Sequence, residues 1–130
     1  MEQKTPHFDY ELKKWLLLYS ICVGPHKFGE IKWKMQKILR QEIAPLTLCN
    51  IISDFQLKDY VNFIERKEPV YKQDGNILKY LHDNLEKHYF PTKKGIMQLL
   101  FGWEFAAPAI SKESYDEIST SICAICDSEN

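Results

Sequence analysis

Apolar residues recur along this chain with the period of an α-helix, and prolines and glycines cut the pattern into short lengths. No other property of its 130 residues restricts the fold as much. In the first length, Phe8, Leu12, Trp15, Leu16, Tyr19, Cys22 and Val23 form one continuous stripe. Leu17, Leu18 and Ile21 lie outside that stripe, so this helix is expected to have apolar neighbours on more than one side. Gly24-Pro25 ends it, because the residue before a proline avoids the helical region.

The same reasoning carries to the C-terminus. A second helix is expected from Lys27 to Glu42, with Phe28, Ile31, Met35, Ile38 and Leu39 inward. Pro45 sets off a shorter piece, Leu46 to Ile52. Ser53-Asp54-Phe55-Gln56 then reads as a capping box, in which hydroxyl and amide each satisfy an orphan N–H. It opens a helix that faces Leu57, Tyr60, Val61 and Ile64 to the core. Glu68 to Asp74, with Pro69 and the turn signal Asp74-Gly75, is the expected long loop. Val70-Tyr71-Lys72 before that turn would also suit a hairpin. The helical spacing of Ile77, Leu78, Leu81, Leu85 and Tyr89 sets the hairpin aside. After Pro91-Thr92, Ile96, Leu99, Leu100 and Trp103 make a further stripe. Met97, Phe101 and Phe105 surround it, which marks this helix as central. Pro108 closes it, and Ser111 caps a last helix with Tyr115, Ile118, Ile122 and Ile125 inward. Asp127 to Asn130 read as a frayed tail. The expectation is one all-α domain over residues 1–130, six or seven helices packed orthogonally or as a bundle.

A low glycine count of 5 argues against a turn-rich β-sandwich, and 45% hydrophobic residues argue against wholesale disorder. The longest apolar run, Trp15 to Val23, is far short of the roughly 20 residues that span a bilayer. It has the length of a secretory leader's apolar region, but the acids Glu2, Asp9 and Glu11 spoil a basic leader. The reading is a buried helix of a cytoplasmic protein.

The residues that most often carry chemistry are scattered. Cys22, Cys49, Cys123 and Cys126 read as free thiols among apolar neighbours. Cys123-Ala124-Ile125-Cys126 is half of a zinc site, and it stands at the acidic end of a helix rather than at the N-terminus that would favour thiolate. Cys126 joins the Ile118/Ile122/Ile125 stripe, and packing is expected for both. His82 and Glu86 share a helical face but lack a third ligand. His82 and His88, six residues apart, would point well over 90° apart round a helix and read as solvated or capping residues, while His26 follows Pro25 in a turn and His7 precedes the first helix. Lys93-Lys94-Gly95 lacks the glycine spacing of a phosphate loop and reads as a solvated helix end. No catalytic set, metal or cofactor is therefore expected, although carboxylates brought together by folding would leave no trace in sequence.

Charge carries the functional clue. The net charge is −1, yet Glu113 to Asn130 contains Glu113, Asp116, Glu117, Asp127 and Glu129 and no Lys or Arg. Lys27 to Arg40 instead holds Lys27, Lys32, Lys34, Lys37 and Arg40 against the single acid Glu30. Single-sign surfaces steer partners of opposite sign. Helix-dipole stabilisation accounts for Glu113 and Asp116 but not for Asp127 and Glu129, which sit at the wrong end. On the second helix, Trp33 lies opposite the apolar stripe, with Lys37 and Arg40 at i+4 and i+7. It has three readings: packing within the chain, a hot spot for a protein partner, or stacking on a nucleic-acid base. A pI of about 6.4 makes nucleic acid the least favoured.

Three functions follow. The first is a small non-catalytic protein-binding protein, such as an immunity protein or antitoxin. It would neutralise a basic toxin such as a nuclease through Asp116, Glu117, Asp127 and Glu129. The alternative is a helical adaptor or regulatory subunit that docks an acidic protein or nucleic acid through Trp33, Lys37 and Arg40. The third is an enzyme with a site assembled between helices, drawing on His82, Glu86 or Cys123.

Overall fold

One helix lies at the centre and the other elements surround it. The computed structural model describes residues 6–24 and 26–129, with the side chains of 6–9 and 129 excepted. Its elements run α1 (Pro6–Val23), α2 (Phe28–Leu39), α3 (Pro45–Leu57), β1 (Val61–Asp74), β2 (Ile77–Pro91), α4 (Lys93–Ala106), a 3-10 turn (Ala107–Ala109) and α5 (Lys112–Glu129). Leu12 and every residue from Trp15 to Ile21 on α1 are buried, so the helix is enclosed on all sides, as its second set of apolar residues requires. An aromatic column fixes α4 and α5 to it. Trp15 stacks between Tyr19 and Trp103 with centroids 5.6 and 5.5 Å away, and Trp103 meets Tyr115 at 5.8 Å. The Trp15 indole also donates to the Leu99 carbonyl at 3.0 Å, so its one polar atom is satisfied inside the core.

The all-α expectation is overturned between residues 61 and 91. Two antiparallel strands of 14 and 15 residues stand there as a long hairpin, and the protein is mixed α and β, with five α-helices among the described residues. The segment read as a loop (Glu68 to Asp74) is the distal half of β1, and the one read as a helix (Ile77 to Tyr89) is β2. The hairpin that had been set aside is the correct structure. Its turn is Gly75-Asn76, with Gly75 at φ 63, the residue and position that a type II′ turn needs.

A bulge explains the false helical period. Val70 pairs with His82 and Tyr71 with Tyr80, which leaves Leu81 as an extra residue on β2. That insertion puts Leu78 and Tyr80 on the same face as Leu85 and Tyr89 despite their different parity. With the bulged Leu81 counted among them, Leu78, Leu81, Leu85 and Tyr89 fall three and four residues apart, as they would on a helix.

The end of α3 was misread for a different reason. Ser53 to Gln56 lies inside α3 and caps nothing; the helix starts at Pro45 and runs to Leu57. It ends in a Schellman motif, with Tyr60 N–H donating to Phe55 O at 2.8 Å and Asp59 N–H to Gln56 O at 3.1 Å. The left-handed residue there is Asp59 (φ 62), where a sequence reader looks for glycine. Thr92 then ties the two feet of the hairpin together. Its hydroxyl donates to Asp59 O at 2.6 Å, its N–H to Tyr60 O at 2.9 Å, and its Oγ1 accepts from Gly95 N–H at 3.0 Å as the α4 N-cap.

Three smaller corrections follow. Helix α4 is peripheral rather than central, with Met97 exposed and Phe101 84% exposed. Cys49, Cys123 and Cys126 are exposed and Cys22 is half-buried, so packing does not account for most of the thiols. The expected frayed tail begins inside α5, which continues to Glu129. Among the described residues, no helix is long and apolar enough to cross a membrane.

Candidate functional site

The gap between α2 and the first turns of α5 forms a groove of about 780 Å³, within the size range of binding pockets. Helix α2 contributes Gly29, Glu30, Trp33, Lys34, Lys37 and Ile38, which recur at three- and four-residue steps and so share a face. From α5 come Glu113, Ser114, Glu117 and Ile118, and Tyr19 of α1 forms the floor. Arg40 bridges one end through an ion pair with Glu113. Arg40 holds a left-handed backbone (φ 55) as the C-cap of α2, so the turn that ends the helix also aims this side chain at α5.

Trp33 stands at the rim, 63% exposed, and Lys37 Nζ lies 5.1 Å from its ring centroid in a cation–π contact. Deeper in, Lys34 Nζ donates to the Gly24 carbonyl at 3.0 Å and sits 5.5 Å from the Tyr19 ring. Burial pushes the Lys34 ammonium below its ordinary value, and the Glu117 carboxylate offsets part of that. Burial likewise raises the Tyr19 phenol, against the Ser121 hydrogen bond and with help from Glu117. At neutral pH Tyr19 is therefore a protonated, neutral hydroxyl. The groove thus combines an aromatic face, apolar walls and charges of both signs.

Trp33, Lys37 and Arg40 are brought together as their spacing suggested, and of Trp33's three readings, packing within the chain is not what the structure has. Glu117 joins them from the opposite wall. Asp116 is exposed one position round α5 and does not line the groove. Asp127 is exposed ten residues beyond Glu117, roughly 15 Å along the helix. The Glu129 side chain lies outside the described residues, as do those of His7 and Phe8. The acidic run is an exposed face of α5, but its first member, Glu113, is paired with Arg40.

His82 and Glu86 do not meet. On a strand they are roughly 13 Å apart rather than adjacent, and Cys123 is on α5. Among the described residues no three His, Cys, Asp or Glu side chains converge as metal ligands. Tyr19, Lys34 and Glu113 were not singled out as groove residues in the sequence. Lys34 could have been found from the helical face it shares with Trp33 and Lys37. Tyr19 reads as core because its ring is core, and Glu113 comes to Arg40 through the tertiary fold alone. No protein-family model matches the chain, and no curated protein matches it.

Proposed function

We propose that this chain is a small, non-catalytic, cytoplasmic protein-binding protein that docks a partner in the α2–α5 groove, with Trp33 as the anchor. The supporting observation is that Trp33 remains 63% exposed beside a groove of about 780 Å³. A large exposed aromatic beside a concave surface is the informative case, because single exposed aliphatics are common and Trp and Arg are the residues enriched at binding hot spots. Lys37 and Glu30 supply charge of each sign at the rim, which suits a protein surface of mixed charge better than a polyanion.

A second reading, neutralisation of a basic toxin by an immunity-type protein, is favoured by the outer face of α5. Asp116 and Asp127 are exposed there, beside the groove residue Glu117, and no base follows Lys112. Affinity capture from the native cell separates the two readings. Wild-type chain, Trp33→Ala, and the double variant Asp116→Asn, Asp127→Asn, which leaves the groove residue Glu117 in place, serve as baits. A partner lost with Trp33→Ala and kept by the double variant supports groove docking. The reverse, with salt-sensitive capture of a basic protein, supports the toxin reading. A partner kept by both variants rejects both.

A further inference from the structure

The hairpin extends far beyond the body that anchors it. Fourteen residues of β1 at about 3.3 Å each reach roughly 45 Å. Its two faces are not alike. One face carries Ile64, His88, Glu68 and Val70 and rests on the start of α2. Lys27 pairs with Glu68, His88 Nε2 lies 3.1 Å from Glu68 Oε1, and the His26 ring packs 4.2 Å from that of Phe90.

The other face carries the rungs Phe63–Tyr89, Glu65–Lys87, Lys67–Leu85, Pro69–Asp83, Tyr71–Tyr80 and Gln73–Leu78. Three contacts show that these side chains share one side across the bulge. Lys87 lies over the Phe63 ring at 4.6 Å, the Tyr71 and Tyr80 rings meet at 5.8 Å, and across the bulge the Asp83 carboxylate is near enough to the Tyr80 hydroxyl to push its pKa up. Beyond Phe63 nothing in this chain covers that face among the described residues. Leu78 and Leu85 are 63% and 60% exposed, and Tyr71 and Tyr80 are both 54% exposed.

An isolated two-stranded ribbon is marginal in water, and three strands or a packed face are normally needed for stability. The ribbon's charge shows what kind of surface would cover it. Arg66, Lys67, Lys72, Lys79 and Lys87 are matched one for one by Glu65, Glu68, Asp74, Asp83 and Glu86, so neither a polyanion nor a polycation is selected. The bare face is, however, complementary to itself.

We infer that a second copy of this chain covers it, the two ribbons packing face to face and antiparallel about a two-fold axis between the Tyr71–Tyr80 and Pro69–Asp83 rungs. In that register Leu78 lies on Leu85 of the second copy and Tyr71 on its Pro69. Tyr80 comes opposite the second copy's Asp83, a hydrogen-bond acceptor, and Gln73 opposite its Lys67. Every one of these contacts occurs twice, as an isologous interface demands. Moving the axis by half a rung toward the root would set Asp83 against its own copy. Parallel ribbons would bring both helical bodies to the same end. The footprint is four rungs long and two strands wide, at the small end of specific interfaces, so the dimer forms and dissociates with concentration.

Sedimentation velocity of the full chain across a concentration series tests this, with far-UV circular dichroism as the check on folding. Wild type is expected to dimerise in the micromolar range. Leu78→Glu and Leu85→Lys each place a charge against a leucine and should weaken the dimer by about tenfold or more. Combined in one chain, they set an acid opposite a base at both symmetric contacts, and dimerisation should return. Positions 78 and 85 are too far apart along one strand for that rescue to arise within a single copy. A wild type that is monomeric at millimolar concentration overturns the proposal and leaves the face to a different protein. So does a dimer indifferent to both single variants, held instead by another surface such as Met97 and Phe101 of α4. Loss in both singles without rescue in the combination overturns it as well.

Discussion

Replacing Trp33 with alanine separates a binding residue from a folding residue, and the size of the effect can be worked out beforehand. At 63% exposure, folding hides little more than a third of this residue. If a fully buried aromatic removes about 250 Å² from water, Trp33 removes roughly 90 Å². At about 25 cal/mol per Å² that is ~2 kcal/mol, an upper bound because the unfolded chain already hides part of the same area. Alanine keeps some of the contact and is the better helix former by about 0.5 kcal/mol. The expected net loss of folding stability is therefore ~1 kcal/mol, or about 4 °C in Tm for a chain of this size. Trp15, enclosed in the aromatic column and bonded to Leu99, should instead lose the roughly 3–5 kcal/mol of a buried aromatic when replaced by alanine. Urea denaturation followed by circular dichroism measures both. Iodide quenching adds an independent check: the readily quenched part of the tryptophan emission should disappear in Trp33→Ala, while Trp15 remains shielded. A loss of 3 kcal/mol or more for Trp33→Ala, on the scale of a buried aromatic, would refute the assignment, because Trp33 would then belong to the fold and not to a partner.

The foot of the hairpin, the thiols and the latch on α2 give three further tests. Gly95 is buried in the first turn of α4, where an added Cβ would strike the Tyr60 carbonyl oxygen and lie 2.9 Å from the carbonyl carbon. Gly95→Ala should cost about 2 kcal/mol or more despite alanine's helix preference, read as a fall in the urea midpoint; a rise would reject the close approach. Burial pushes the Cys22 thiol up to about 12, while Cys49, Cys123 and Cys126 are exposed. A thiol reagent at mildly alkaline pH should therefore modify those three quickly and Cys22 only after unfolding. Glu68 is held below the usual carboxylate range by its hydrogen bond to Lys27, by that ammonium's charge and by His88. Its stabilising effect is present above the ordinary carboxylate range and fades as pH falls through the lowered folded-state value. The Tm gap between wild type and Glu68→Gln should accordingly be open at neutral pH and close in acid. A gap unchanged by acidification would show that the Lys27–Glu68 contact does not form in solution.

Helices whose periodicity reflects a single packed face were readable from sequence. Leu12, Trp15, Leu16 and Tyr19 on α1, and Ile118 and Ile122 on α5, are buried at the positions their spacing marks. The outward direction of Trp33, Lys37 and Arg40 follows from the same geometry on α2, so half of the groove was visible before folding. The other half depends on which helix arrives opposite, and the Arg40–Glu113 pair has no local signature.

Strand periodicity exists only where one face is wet and the other buried, and most of this hairpin is wet on both. Alternation therefore has nothing to enforce it along Glu65 to Glu68, and the Leu81 bulge shifts the apolar residues of β2 into helical step. Local chemistry did contain the correct answer: Pro69 is foreign to a helix, Val70-Tyr71 favours a strand, and Asp74-Gly75-Asn76 is a hairpin turn. Period and turn chemistry disagree in this segment because period reports burial and turn chemistry reports the backbone. Leu78, Tyr80 and Leu85 of β2 share one face of a ribbon that this chain leaves bare. The reason the helical reading failed is thus also the reason to look for a second surface that gives those residues a core.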